Sequence, residues 1–256
     1  MSFWFNGISS DDKHVVVEKY PDYTIPARKF STADASGRTG TIYITTDGFA
    51  NIKQAYQVYM HDDQYSLEYV ARSLAEWLLS PSGYCTLTDS YNPHSYRKAI
   101  FTGPINIQNI FNKYGRVTLE FDCDPRRWLV AGDVSMALGI NDTTYFLNPS
   151  CFEALPEITA TFKNGSETIS FSTVNENDEI VDTYAVISAP SDLDTTNGET
   201  FTFNSETGQI TDSLGNNASS RFSLNPFPWL VSGVTAITTS NFTTGSASVV
   251  PHWYTL

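Results

Sequence analysis

Cysteine is scarce in this chain, and the cysteines present are too far apart to act together. There are three in 256 residues, at positions 85, 123 and 151. An odd number without a Cys-x-x-Cys pair predicts neither a disulfide framework nor a zinc knuckle. We expect Cys85, Cys123 and Cys151 to be free thiols, at least partly buried, that behave as small apolar side chains.

Long apolar runs are also missing. No stretch approaches the roughly 18 apolar residues that are needed to cross a membrane. The start, MSFWFNGISSDD, lacks the basic residues and the apolar core of a signal peptide. These absences predict a protein that does not contact membranes and is made and folded in cytoplasm.

Basic charge is nearly absent from the second half. Residues 151–256 contain 2 Lys or Arg against 12 Asp or Glu, whereas residues 1–150 contain 13 against 16. An acidic chain without a basic stripe is poorly suited to grip nucleic-acid phosphates or anionic lipid. The asymmetry predicts two domains, 1–140 and 141–256, and the last few residues, near 250–256, could pack back on the first domain.

Motifs typical of enzymes are absent as well. No histidine lies three or four residues from another histidine or from a cysteine, so no metal-ligand spacing occurs. There is no Gly-x-Ser-x-Gly elbow, glycine-rich phosphate loop or His-Glu-x-x-His. His61-Asp62-Asp63 could bind a cation, but a solvated turn is the simpler interpretation. We expect no enzyme activity, cofactor or bound metal.

The segment TLEFDCDPRRWL, residues 118–129, raises one exception. Asp122, Cys123 and Asp124 could offer ligands to a metal, or two carboxylates to a hydrolytic reaction. Apolar residues alternate here with polar ones, which predicts a strand with Cys123 on the core face and both aspartates on the opposite face. We therefore interpret the segment as structural, with Pro125 ending the strand. The alternating core residues are Val117, Leu119, Phe121 and Cys123.

One amphipathic helix is predicted in SLEYVARSLAEWLLSPSG. Its apolar residues recur at spacings of three and four, Ser66 is a suitable N-cap, and Pro81 stops the helix. The stripe consists of Leu67, Val70, Ala71, Leu74, Trp77 and Leu78, which we expect to pack on a sheet.

Most of the remaining chain reads as short strands. NIKQAYQVYM alternates in the first half. After Glu157 the segments EITATF, ETISFST, YAVIS, ETFTFN, RFSLN and SASVVPHWYTL predict an antiparallel β-sandwich, with hairpin turns at Asn164-Gly165 and Thr207-Gly208. Trp229, Trp253 and Tyr254 lie in aromatic-rich segments of this half and could stack on a sugar ring or pack in a core or interface.

The segment WLLSPSGYCTLTDSYNPHSYRKAIFTGPINIQNIFNKYGRVTLEFDCDPRRWL resembles the core of the distal tail protein (Dit) family, the tail-tip and baseplate hubs of long non-contractile-tailed phages and prophages of Gram-positive bacteria. The opening FWFNGISSDDKHVVVEKYPDYTIPARKF and the ending VVPHWYTL resemble the start and the end of that family. The resemblance therefore spans the whole chain.

The resemblance implies a mainly β fold. The N-terminal domain is expected to be a β-sandwich with one α-helix and a long hairpin, and six copies form a ring through it. The C-terminal domain is expected to be a galectin-like β-sandwich. The family has no catalytic residues to transfer. Structural or interface roles are expected for Trp77, Arg97, Arg126, Arg127 and Trp128, and the two adjacent arginines could pair with acids of a neighbouring subunit.

The implied function is structural: a homohexameric ring in the virion joins the tail tube to the host-adsorption device, and DNA passes its channel without specific binding. The expected partners are the tail tube or tail-terminal proteins, a tail-associated lysin or fibre, and a receptor-binding protein. Assembly would occur in the cytoplasm of the bacterial host. One alternative is a carbohydrate-binding module that contacts host cell-wall polysaccharide through the C-terminal sandwich, and another is a cell-wall hydrolase.

Overall fold

The computed structural model describes residues 1–61, 65–111, 114–177, 179–224, 226–242 and 245–256. The chain falls into two units, Met1–Arg127 together with Leu256, and Trp128–Thr255. The passage from one unit to the other thus lies between Arg127 and Trp128, earlier in the chain than the expected boundary at residue 140. Whether residues 250–256 pack on the first unit stays a prediction.

The first unit is built mainly from one antiparallel sheet that curls around its own core. Its strand order is β2-β1-β7-β8-β10-β6-β3, and β9 pairs with β10. The elements are β1 (Phe3–Phe5), β2 (Ile8–Ser9), a 3-10 helix (Asp11–Lys13), β3 (Val15–Val17), β4 (Arg28–Ala33), β5 (Ile42–Phe49), β6 (Ile52–His61), α1 (Leu67–Leu79), β7 (Cys85–Asp89), β8 (Ser95–Phe101), β9 (Gln108–Phe111) and β10 (Tyr114–Leu129). This curled sheet corresponds to the predicted N-terminal sandwich, and the mainly β prediction is confirmed.

Alternation on β6 and β10 builds the core of the first unit. The two strands pair antiparallel, with Val117 opposite Val58 and Leu119 opposite Tyr56. The predicted inward residues of both strands are buried, because successive side chains of a strand point to opposite faces. The core residues of these two strands are Ile52, Tyr56, Val58, Met60, Val117, Leu119, Phe121 and Cys123.

The predicted helix is confirmed as α1. Ser66 accepts a hydrogen bond from the backbone N–H of Tyr69 at 3.3 Å, which satisfies one of the donors left free at a helix start. Val70, Leu74, Trp77 and Leu78 are buried in the core of the first unit.

A separate two-stranded ribbon stands apart from the curled sheet. It pairs β4 with β5, and no third strand joins it in the described part of the chain. It corresponds to the long hairpin that the family resemblance implied.

The second unit is an antiparallel sandwich, as predicted. Its sheets have the orders β11-β19-β13-β16-β17 and β12-β18-β14-β15, and they enclose a core rich in phenylalanine. The elements are a 3-10 helix (Val130–Asp133), β11 (Met136–Ala137), β12 (Thr143–Asn148), β13 (Glu157–Phe162), β14 (Thr168–Val174), β15 (Ile180–Ser188), β16 (Glu199–Asn204), β17 (Gln209–Asp212), a 3-10 helix (Ser219–Arg221), β18 (Gly233–Ser240), β19 (Ser246–Val250) and β20 (Tyr254–Thr255).

Three expectations about local backbone structure were wrong. Asn164-Gly165 forms no hairpin turn, because it connects β13 to β14, which belong to different sheets. Strand β10 continues through Pro125 to Leu129, although its pairing with β6 ends at Cys123. Proline lacks only the donor, and the Pro125 carbonyl accepts a hydrogen bond from Arg97 Nη1 at 3.1 Å. The segment RFSLN forms no strand where it is described, because Phe222 reaches the core from a 3-10 turn and the coil that follows.

No helix in the described ranges is long and apolar enough to cross a membrane.

Candidate assembly site

The ribbon of β4 and β5 exposes apolar side chains that a free surface would not favour. Phe30 is 45% exposed, Tyr43 65% and Ile44 62%. Ile25, just before β4, is exposed as well. A two-stranded hairpin alone is marginally stable in water, because too little of its apolar surface is buried. Tyr43 and Ile44 are neighbours on β5 and point to opposite faces of the ribbon, so apolar side chains are exposed on both faces.

Contacts within the ribbon fix its shape without covering it. The ring of Phe30 meets the ring of Tyr43 edge-on, with centroids 4.8 Å apart. The guanidinium carbon of Arg28 lies 5.0 Å from the centroid of the Phe49 ring, a cation–π geometry. Such cross-strand pairs hold the two strands together. The apolar side chains are thus presented on an ordered support.

The two aspartates of the FDCD segment are each engaged by a neighbouring cation. Asp122 Oδ2 lies 3.1 Å from Lys53 Nζ, and Asp122 also accepts a hydrogen bond from Asn51. Asp124 accepts a bidentate pair from Arg126, at 2.9 and 3.1 Å. Within the described residues, no group of three or more His, Cys, Asp or Glu could hold a metal ion.

The pKa of Asp124 reflects this pairing. Burial alone would raise it, but the hydrogen bonds from the Arg126 side chain and backbone N–H, together with the Arg126 charge, outweigh burial and lower the pKa. The Arg126 side chain is therefore held within its own strand. An additional pairing of Arg126 with acids of a neighbouring subunit stays a prediction.

Arg97 and Arg127 lie deeper than a sequence interpretation suggested. Arg97 is 4% exposed, and Arg127 places its guanidinium carbon 4.8 Å from the centroid of the Tyr23 ring. Both line one small cavity of the first unit. The burial of Arg97 could have been predicted from the sequence, because alternation in SYRKAIF places Arg97 on the same face of the strand as Ala99 and Phe101.

The two predicted structural tryptophans are both buried. Trp77 lies in the core of the first unit. In the second unit, Trp128 is 4% exposed and its ring centroid lies 5.6 Å from that of Tyr254. Interface roles for these residues stay predictions.

The three candidate sugar-stacking residues contact rings of their own unit. Trp229 stacks on Tyr184, with centroids 4.4 Å apart. Tyr254 stacks on Phe152 at 5.8 Å, and Trp253 packs against the second core. Each of these aromatic side chains is half-buried. The two stacked rings have a face already covered within the unit.

The residues of the ribbon surface were missed from sequence. GTIYITT shows alternation, but an alternating strand normally has one buried face, and the pattern alone gives no sign that Tyr43 and Ile44 are both exposed.

Comparison with known proteins relates the chain to phage tail proteins. Residues 10–123 match the family model described as the phage tail protein RIFT-related domain. The crystal structure of the Dit protein of phage SPP1 aligns with a TM-score of 0.69 at 13% identity, over 97% of this chain and 96% of that chain. Residues 10–123 thus match a phage tail domain, and the chain as a whole has the fold of the SPP1 protein. The fold implied by the resemblance to the distal tail protein family is confirmed.

Other comparisons are weaker. Two structures of the phage P2 baseplate in its activated conformation, with Ca and with Sr, give TM-scores of 0.48 and 0.47 at 9% and 8% identity. They cover 92% and 97% of this chain, and 90% and 96% of the matched chains. Among curated proteins, no sequence matches this chain. The SPP1 protein is described as a paradigm of the hub adsorption apparatus in phages that infect Gram-positive bacteria.

Proposed function

We propose that this chain is a distal tail protein, the structural hub of a phage tail tip, and that it assembles as a homohexameric ring. The observation that carries the proposal is the ribbon of β4 and β5, whose exposed Phe30, Tyr43 and Ile44 need a covering surface. Burial of apolar area contributes about 25 cal/mol per Å². A neighbouring copy can supply that cover.

A ring of six requires a head-to-tail contact between copies rather than a two-fold contact. In a head-to-tail interface the ribbon of one copy packs on a different patch of the next copy, so the contact repeats until the ring closes. Without closure such a contact would produce fibres. The number six comes from the distal tail family.

The ring would surround a channel through which DNA passes without specific binding. The formal net charge of the chain is −13, so an acidic hub repels the phosphate backbone rather than gripping it. The partners we propose are the tail tube or tail-terminal proteins, a tail-associated lysin or fibre, and a receptor-binding protein. Assembly would take place in the cytoplasm of the bacterial host.

Neither alternative function gains support from a specific contact. A galectin-type sugar site needs free polar side chains, yet Arg221 is held by Glu199 at 2.7 Å and by Asp192 at 2.9 Å. For the hydrolase, Asp122 and Asp124 each pair with their own cation. We propose a non-enzymatic role, which a peptidoglycan digestion assay with purified protein would contradict by showing turnover. Binding on a glycan array would support the carbohydrate alternative.

Negative-stain electron microscopy of the purified protein tests the ring directly. The expected result is a population of six-fold rings with a central opening. Single particles of one chain or two-fold dimers, also after tail-tube protein is added, would contradict the proposal.

A further inference from the structure

Two arginines in the first unit have buried guanidinium nitrogens that no acceptor reaches among the residues that the structure describes. Arg97, on β8, is 4% exposed, and its Nη1 donates to the Pro125 carbonyl at 3.1 Å. Arg97 Nε and Nη2 and Arg127 Nε are buried and have no hydrogen-bond partner among the described residues. Buried donors normally find an acceptor, because leaving one unsatisfied costs about 1–3 kcal/mol and more when it is charged.

The carboxylate of the cavity is already occupied by other donors. Asp89 lines the same cavity as Arg97 and Arg127. Its Oδ2 accepts from the Tyr56 hydroxyl at 2.9 Å, and its Oδ1 accepts from the backbone N–H groups of Tyr91 and Asn92 at 3.0 and 2.7 Å. The lining therefore holds two guanidinium charges and a single carboxylate, a local excess of positive charge.

The charges that line the cavity favour the binding of an anion. Burial lowers the pKa of Arg97, and the nearby charge of Arg127 lowers it further. Arginine nevertheless stays charged in proteins. Two like charges in a poorly solvated place repel each other, and an anion between them would offset both the repulsion and the lost hydration.

The size of the cavity limits which anion can bind. Its volume is about 20 Å³, and a water molecule needs about 10–15 Å³ by this measure. A monatomic ion fits, whereas phosphate or sulfate does not. We propose that Arg97 and Arg127 bind a single chloride-sized anion, which joins β8 to the end of β10 inside the first unit.

A bound anion would stabilise the end of the first unit, where β10 passes Pro125 and Arg127. Arg97 holds the Pro125 carbonyl, and Arg127 follows two residues later on β10. Arg127 also lies over the Tyr23 ring, so the anion would tie the segment before β4 to the sheet.

Thermal unfolding of the full chain at constant ionic strength tests the proposal, with sodium chloride replacing sodium gluconate step by step. A ligand that binds only the folded state stabilises it in proportion to the logarithm of its concentration above the dissociation constant. The expected result is a melting temperature that rises with chloride, and a chloride-35 NMR line that broadens in the presence of folded protein. Each tenfold rise in chloride above the dissociation constant should shift the folding equilibrium about tenfold.

Matched variants separate this site from general salt effects. Arg97→Met and Arg127→Met should each abolish the chloride dependence and the line broadening. Arg72→Met should retain both, since Arg72 is an exposed helix residue paired with Glu68. Should Arg97→Met fail to fold, Arg127→Met gives the answer alone. A folded wild type indifferent to chloride, or a chloride response that survives in folded Arg127→Met, would overturn the proposal.

Discussion

The indole N–H of Trp77 donates a hydrogen bond to the backbone carbonyl of Phe5, 3.1 Å away. The same indole stacks on Phe3, with ring centroids 5.5 Å apart. This relationship ties α1 to β1, an edge region of the curled sheet. The helix is thus fastened to the first unit by a buried polar contact as well as by apolar packing.

Replacing Trp77 with alanine should therefore strongly destabilise the first unit. Trp→Ala in a core typically costs about 3–5 kcal/mol, because lost transfer energy and a cavity add. A domain has roughly 5–15 kcal/mol of stability in total. We expect a clear drop in melting temperature and loss of ring assembly, measured by calorimetry and sizing. Trp4→Ala is the matched control, since Trp4 lies on β1 but faces solvent. Equal melting of wild type and Trp77→Ala would show that α1 is not a core element.

Asp124 should contribute a pH-dependent share of stability. Its folded pKa lies below its ordinary value of 3.8, so the contribution is complete above the unfolded pKa and disappears as the pH falls through the folded one. Asp124→Asn should cost about 1 kcal/mol at neutral pH, the typical worth of such hydrogen bonds. The cost should vanish in strong acid. Urea unfolding of both proteins across this pH range measures it, and a cost that persists unchanged into acid would contradict the pairing with Arg126.

The cysteines should differ sharply in reactivity. Burial raises the pKa of the Cys123 thiol to about 12. Cys151 is exposed, so the expectation that it is at least partly buried was wrong. Because the thiolate is the reactive form, a thiol reagent should modify Cys151 in the native protein and reach Cys123 only after unfolding. Peptide mass mapping at neutral pH with and without denaturant reads this out. Early labelling of Cys123 in the native protein would show that the core opens.

Much of the fold follows from local pattern, and the exceptions have physical causes. Ser66 and the spacing of three and four predicted α1, and alternation predicted β6 and the core half of β10, because one buried face leaves a clear period. The strand predicted in RFSLN does not form. Phe222 packs its ring on those of Phe201 and Phe203, with centroids 4.9 Å apart in each pair, and needs no strand pairing to do so. Strand β18 of the second unit was not predicted at all, because the two faces of this threonine-rich stretch differ little in polarity.

The candidate site was harder to predict than the fold. The ribbon looks in sequence like any half-buried strand, yet Tyr43 and Ile44 are both exposed in the described part of the chain. The hydrophobic pattern of a single chain does not distinguish a face that is buried in the fold from a face that contacts a partner.

Under the proposed function, the ribbon closes a ring of six. Light scattering coupled to gel filtration at micromolar concentration gives the mass directly, and six chains of 28.5 kDa amount to about 171 kDa. The double variant Tyr43→Ser, Ile44→Ser should shift the mass toward one chain while leaving the melting temperature unchanged. Leu214→Ser, which removes an apolar residue 84% exposed in the second unit, should leave the mass near that of the ring. A wild type that stays at the mass of one chain even with tail partners added, or a ribbon variant that keeps the full mass, would contradict the account.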